Sequence, residues 1–460
     1  MKRRSHGVSL GSRRDFLGGI LSATVLSGCG LFRGRDYAAG GRRLRFGVVS
    51  DIHFAFDLNG IMPGYDAQTF TTALRWFRDQ GVDAVIVCGD MADRSLVVEL
   101  EAVAAAWFGV FPNDRAPDGR KVERVFVTGN HDWEGHTYGK LVSGMYPDEA
   151  VRATKVLRTD LPGHWKRIWG EDYETLFRKD VKGYAFIGHH WVGPGFSCLP
   201  PFLAKQRPTL DPDRPFFYVQ HALPKGTVNG DWACGQDCGM TTKCLSAFPN
   251  AVAFSGHSHY SLTDERTIWQ GSFTSIGASS LRYGYAGCEE FRNEKLMNRP
   301  LDFQNRQGML VDVYDDCIVY GRREFLSGLA LGDDWVQPLG TGARPFAFAE
   351  RARAFGAPEF SASAVPTVAC KGASLVVSIP QALGTSSRAY RYDVELVGSG
   401  NSVRKRVLSA DFALPIGHPR AKIPTSCPFG AEEIPSGCRC VRVTPVSCFG
   451  VCGHPAETSV

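Results

Sequence analysis

The chain of 460 residues has no internal repeat and no low-complexity tract, which excludes solenoid, propeller and collagen-like architectures. It lacks a marked charge surplus once its first segment is set aside. Lys+Arg number 52 against Asp+Glu 47, net +5, but Lys2, Arg3, Arg4, Arg13 and Arg14 against Asp15 alone put +4 of that in residues 1–28. The remainder is near +1, which gives no reason to expect a nucleic-acid partner. The apolar stretch Phe16–Leu26 is diluted by Gly18, Gly19, Ser22 and Thr24 and falls short of the ~20 residues that span a bilayer.

What that stretch does resemble is an export signal. Ser12-Arg13-Arg14-Asp15-Phe16-Leu17 is a twin-arginine pattern, and Leu26-Ser27-Gly28-Cys29 is similar to a bacterial lipoprotein cleavage box. The expectation is a protein exported folded to the bacterial cell envelope and tethered to the membrane through a lipid on Cys29. The alternative is a signal cut elsewhere, with Cys29 an ordinary thiol. Of 14 cysteines, Cys88 lies in an apolar run and reads as a core residue. Cys234, Cys238 and Cys244 cluster in one loop, and Cys427, Cys438, Cys440, Cys448 and Cys452 near the end. Disulfides are expected outside the cytoplasm, with connectivity open and a structural zinc as the alternative.

Five short motifs recur in order: DIH (Asp51–His53), GDMAD (Gly89–Asp93), GNHD (Gly129–Asp132), HALP (His221–Pro224) and GHSH (Gly256–His259). Each follows a predicted buried strand: Leu44–Val49, Asp83–Cys88, Arg124–Thr128, Pro215–Gln220 and Ala251–Ser255. Phe70, Ala73, Leu74 and Phe77 share one face of a helix. Leu96, Leu100, Val103 and Trp107 share another, with Ser95 as its expected cap. Strands alternating with helices point to an α/β fold with its site at the strands' carboxyl ends. Tyr184–Gly188 is a further strand. Ser272–Ile276, Met309–Tyr314 and Ile318–Arg322 read as closing strands of a second sheet. Beyond Pro338–Arg344 the strands Ser374–Ile379, Ala389–Val397 and Cys440–Val446 suggest a β-sandwich, and Val441–Gly450 is similar to the last strand of a fibronectin type III-like domain. The organisation reads as signal 1–28, linker 29–43, catalytic domain 44–337 and accessory sandwich 345–460.

The motifs supply carboxylates, imidazoles and one amide oxygen, the ligand set of two divalent metals in one site, and their order resembles that of the calcineurin-like metallophosphoesterases over about Arg45 to Phe325. The resemblance implies a two-sheet α/β sandwich flanked by helices and hydrolysis of phosphate mono- or diesters by a metal-bridging hydroxide. It implies one metal on Asp51, His53 and His259, a second on Asn130, His221 and His257, and Asp90 bridging them. It places His131 at the leaving group, with Asp132 expected to orient that imidazole; the alternative is a purely structural pair. Gly89, Gly129 and Gly256 are expected to let the strands turn sharply at their tips. Two cations against Asp51 and Asp90 leave a positive surplus that suits an anionic ester. No thiolate is in the set, so Mn, Fe, Zn or Co fit. Asp93 stands where purple acid phosphatases carry tyrosine, which argues against a tyrosinate-bound ferric centre.

His189 and His190 end a strand near the site and read either as substrate contacts or as solvated or hydrogen-bonded loop histidines. Arg94, Tyr260, Arg282 and Tyr283 could grip phosphate or stack on a ring, but each alone is more often a surface or packing residue. The substrate walls are expected in Trp133–Lys182 and Arg282–Arg306. The alternatives to a general phosphoesterase are a 5′-nucleotidase-like enzyme and a non-catalytic cell-surface binding protein built on the same scaffold. The sandwich is a candidate glycan or polymer binder.

Overall fold

The computed structural model describes residues 41–57, 60–61, 67–135, 137, 157–191, 193, 196–228, 236–285, 300–302, 306–340, 355–384 and 387–460. The twin-arginine segment, Cys29, Cys234 and most of Arg282–Arg306 lie outside them.

Two six-stranded sheets stack face to face. The first runs in spatial order Trp335–Pro338, Cys317–Glu324, Gln307–Val313, Leu44–Val49, Ala84–Cys88, Glu123–Val127. The second runs Ile268–Gln270, Thr274–Gly277, Ala251–Ser255, Phe216–Val219, Tyr184–His189, Leu176–Val181. The central strands are apolar end to end because both faces are covered. In Ala84–Cys88, Ala84, Ile86 and Cys88 point into the inter-sheet core, while Val85 and Val87 meet the helices. Phe46 locks the two sheets by edge-on contacts with Phe217 at 4.7 Å and Phe186 at 5.2 Å between ring centroids.

Helix Gln68–Gln80 lays Phe70, Ala73, Leu74 and Phe77 on the first sheet, the four positions its periodicity marks. It stops at Gly81, whose left-handed φ of 73° closes the last turn. The second helix spans Val97–Val110, and Ser95 is not its cap. The Glu99 carboxylate accepts instead from the backbone N–H of Leu96 (3.1 Å) and Arg94 (2.9 Å). Helices Leu199–Gln206 and Met240–Leu245 cover the second sheet's outer face.

One strand assignment is corrected. Gln307–Val313 and Cys317–Glu324 close the first sheet, not the second, the former pairing antiparallel with Leu44–Val49. Their alternating pattern states that they are half-buried strands; it does not say which open edge receives them. Toward the C-terminus, three strands (Thr367–Lys371, Ser374–Ile379, Thr425–Phe429) and four (Ser402–Leu408, Arg391–Val397, Cys440–Val446, Ala456–Ser459) form two antiparallel sheets. Leu375, Val377 and Ile379 share one core with Tyr392, Val394, Leu396, Val441 and Val443 from the other sheet. The described cysteines, Cys88 to Cys452, are free thiols, so the expected disulfides are not found among them.

Candidate metal centre

Parallel pairing aligns the carboxyl ends of the motif-bearing strands, and hydrogen bonds then stitch the loop tips to one another. Asp51 N–H donates to Gly89 O (3.0 Å), His53 N–H to Asp90 O (2.9 Å) and Gly256 N–H to His221 O (2.9 Å). Asp51, His53, Asp90, His257 and His259 all adopt positive φ, between 47° and 66°. Aspartate and histidine tolerate this region better than most residues, yet it is strained, and it persists where the surroundings force it. Of the three motif glycines only Gly89 (φ 98°) has a conformation that itself calls for glycine. Gly129 and Gly256 are needed for space. A Cβ on Gly129 would collide with Asp90 Oδ1, and one on Gly256 with Ser50 Oγ and Asp51 Oδ2.

Three groups of three side chains converge, Asp51, His53 and His259, then Asp90, His221 and His257, and a third, His53, Asp90 and His131, that overlaps both, with ligand atoms within 4.8 Å of one another in each. His259 Nε2 lies 2.9 Å from Asp51 Oδ1 and 3.2 Å from His53 Nε2. His221 Nε2 lies 3.1 Å from Asp90 Oδ2 and 3.0 Å from Asn130 Oδ1. Asp90 Oδ2 also stands 3.7 Å from His53 Nε2, so one carboxylate faces each of the first two groups.

The imidazoles are aimed by their other nitrogens. His221 Nδ1 meets the Cys88 carbonyl at 2.7 Å, His259 Nδ1 the Tyr283 carbonyl at 3.2 Å, and His53 Nδ1 the Asp93 carboxylate at 3.1 Å. An Nδ1 that donates leaves Nε2 with its lone pair toward the centre. With both rings neutral, His53 and His259 would point two acceptors at each other, an arrangement that a proton on His53 or a cation between them relieves. The donor set fits two divalent ions.

Protons mark the same positions. Burial opposes charging of His53, but hydrogen bonds to Asp51 and Asp93 and the charge of Asp90 outweigh it and carry its pKa up to about 10. Burial likewise opposes His221, and Asp90 and Asp51 carry it up to about 9. Burial and the neighbouring His221 charge bring His257 down to about 3. Burial disfavours ionisation of Asp51, yet His259 and His53 hold it well below the usual carboxylate range. In the metal-free protein at pH 7.5, His53 and His221 are thus imidazoliums. Their stabilising contribution is complete below pH ~6.5 and is lost as pH rises through 9 to 10. Metal loading at pH 7.5 is expected to release about two protons. Calorimetry in buffers of different ionisation enthalpy reads this, and metal uptake without proton release would contradict it.

His131 lies beside the centre, its side chain 24% exposed. Its Nδ1 meets the Asp93 carbonyl at 2.8 Å and Asp93 Oδ1 at 3.5 Å. Burial lowers its pKa, and Asp90 offsets this only in part. Asp132 does not orient that ring. Its carboxylate accepts backbone N–H groups from Ala92 (2.7 Å), Gly129 (2.8 Å) and Met91 (3.2 Å), tying the GDMAD loop to the GNHD loop. Burial and the Asp90 charge push it up to about 7. The orienting role belongs to Asp93, which serves both His53 and His131 and is itself paired with Arg94 at 3.0 Å. The spacing GDMAD puts Asp93 beside the centre, but only the fold shows which imidazoles it meets.

His189 and His190 are core residues. His189 Nδ1 meets the Tyr218 hydroxyl at 2.8 Å, and His190 Nδ1 accepts Thr128 N–H at 3.0 Å. Burial brings His189 down to about 3, which keeps it neutral. Tyr260 is buried, while the Tyr283 ring packs 4.4 Å from that of His259. Trp191, unremarked in the sequence, is buried beside His221 and His257, at 6.2 Å and 6.4 Å between ring centroids.

A family model described as Calcineurin-like phosphoesterase matches residues 44–261. No curated protein matches the chain. Among solved structures, a dimetal phosphatase from Danio rerio is 12% identical, with 65% of this chain and 100% of that chain covered and a TM-score of 0.41. Purple acid phosphatase PPD1 from yellow lupin (Lupinus luteus) seeds is 13% identical, covering 64% of this chain and 53% of that one, TM-score 0.38. GAP50, the anchor in the inner membrane complex of Plasmodium, is 13% identical, covering 69% and 96%, TM-score 0.37. With five loops converging on the ligand groups and the family match spanning those loops, residues 44–261 are a calcineurin-like phosphoesterase domain, and the chain is by class a phosphoester hydrolase.

Proposed function

We propose that the chain hydrolyses phosphate mono- or diesters with two divalent ions, one held by Asp51, His53 and His259, the other by Asn130, His221 and His257, with Asp90 shared. The observation that carries this is the pair of inward-facing Nε2 atoms of His53 and His259, 3.2 Å apart with both Nδ1 atoms engaged elsewhere. The ligand set favours Mn, Fe, Zn or Co over softer-ligand metals. When bound, such ions supply Lewis acidity and a nucleophile at neutral pH.

The chain's own contribution is placement and charge. Asp90 fixes the spacing of the two ligand groups, since its Oδ2 faces both and its Oδ1 accepts His131 N–H at 2.8 Å. His131, with Nδ1 engaged by Asp93, offers Nε2 to the leaving oxygen. A non-catalytic scaffold would not need this set complete, nor the outer partners Asp93, Cys88 O and Tyr283 O that aim it. The deciding experiment is a screen of metal-loaded protein against phosphate mono- and diesters. Turnover of some ester that vanishes with a chelator and returns with Mn or Zn is expected. A metal-loaded protein inert toward both ester classes would sink the reading.

The twin-arginine pattern and the Cys29 box support an exported, lipid-anchored envelope enzyme. Acylation of Cys29 is expected in the mass of the amino-terminal peptide, and an unmodified or absent Cys29 there would refute the anchor. The three- and four-stranded sheets around one core support a fibronectin type III-like sandwich.

A further inference from the structure

The segment that follows the GHSH loop, Tyr260–Thr267, is buried although it carries Ser261, Thr263, Asp264, Arg266 and Thr267. Its polar groups are met from two directions. From the first sheet, Gln307 Oε1 accepts Leu262 N–H at 2.7 Å, Ser261 Oγ at 3.1 Å and Ser279 Oγ at 3.2 Å. Arg322 Nη1 donates to Leu262 O at 2.7 Å and Glu265 Oε1 at 2.8 Å. From the C-terminal region, the Tyr390 ring lies 4.7 Å under the Arg266 guanidinium, which is itself paired with Asp264 at 2.8 Å.

Gln307 joins the two directions. It is fully buried, and its Nε2 donates to Ala413 O at 3.0 Å, across 106 residues of chain. Next to it, Arg388 of the C-terminal region, 8% exposed, donates to Leu331 O at 3.1 Å and to Leu414 O. Gln307 N–H also donates to Ser280 O at 2.9 Å, and Ser280 Oγ donates to Asp51 O at 3.1 Å. The loop held in this way runs on to Tyr283, whose carbonyl aims His259. Removing one of these partners while the other stays buried would leave a polar group desolvated and unmatched, so each side depends on the other being docked.

We propose that the C-terminal sandwich is a fixed brace of the metal loop, with Gln307 as the positioning residue that couples Ala413 to Ser261 and thereby to His257 and His259. This rests on the metal-centre reading above. A targeting module that merely rides on the enzyme would meet it through a hydrated, separable surface. Here the meeting surface is made of buried polar groups that both parts must complete.

The test uses the full chain. Gln307→Met removes the coupling from the catalytic side, and Arg388→Met loosens the docking from the sandwich side. In variants with native circular dichroism, metal release to a chelator is expected to quicken by about tenfold or more. kcat should fall with it, while KM for an aryl phosphate stays within about twofold. Release and kcat unchanged in both would overturn the brace. Calorimetry of the unmodified protein is a second arm: one unfolding transition is expected, and two well-separated transitions would refute fixed docking even if neither variant folds. A protein that binds no metal would refute the metal-centre reading, while the calorimetric arm would still decide the docking.

Discussion

Asp90→Ala is expected to cut turnover of a chromogenic phosphoester by more than about a hundredfold and to lower metal content below two ions per chain. Asp90 Oδ2 lies 3.1 Å from His221 Nε2 and 3.7 Å from His53 Nε2, one in each ligand group, so its removal takes a ligand from both at once. It also leaves His53 and His221, whose raised pKa values depend on Asp90, with less reason to remain ordered in the metal-free state. Elemental analysis and steady-state rates read the two halves separately. Full activity with both ions retained would show that the carboxylate is not shared.

His131→Ala separates chemistry from metal binding. It is expected to lower kcat by about 10²–10⁴-fold, the usual range for a positioned acid or base, with both ions still bound. The loss should be larger for alkyl than for nitrophenyl esters, because a good leaving group needs little help from a protonated or hydrogen-bonding partner. There is a specific rival. His131 also falls in a group with His53 and Asp90 close enough to hold an ion. Metal loss in the alanine variant would make it a ligand and overturn its assignment to the leaving group.

The strands that deliver the motifs were legible because a strand covered on both faces is apolar throughout, and Leu44–Val49 and Ala251–Ser255 fall where the apolar runs place them. The side chains that converge on one centre were legible because their types and order mark them as metal-competent. What the linear order could not show is conformation and partnership. Nothing in the sequence announces that Asp51, His53, Asp90, His257 and His259 sit at positive φ, since that follows from stitching between loops far apart in the chain. Asp132, next in sequence to His131, turns away to backbone N–H groups, and Asp93 supplies the contact instead. Adjacent side chains on a short helical turn, here Asn130–Glu134, project in different directions, so proximity in sequence misleads there.

The sequence by itself determined the reaction class and the set of atoms that could hold metal, because coordination chemistry depends on side-chain type. The tertiary structure decided which imidazole nitrogen faces inward, which carboxylate aims it, which sheet receives the strands after residue 306, and that the C-terminal region meets the metal loop through Gln307. Those are facts of direction and contact across long stretches of chain. They are set by which buried hydrogen-bonding groups find partners only when the whole molecule has closed around them.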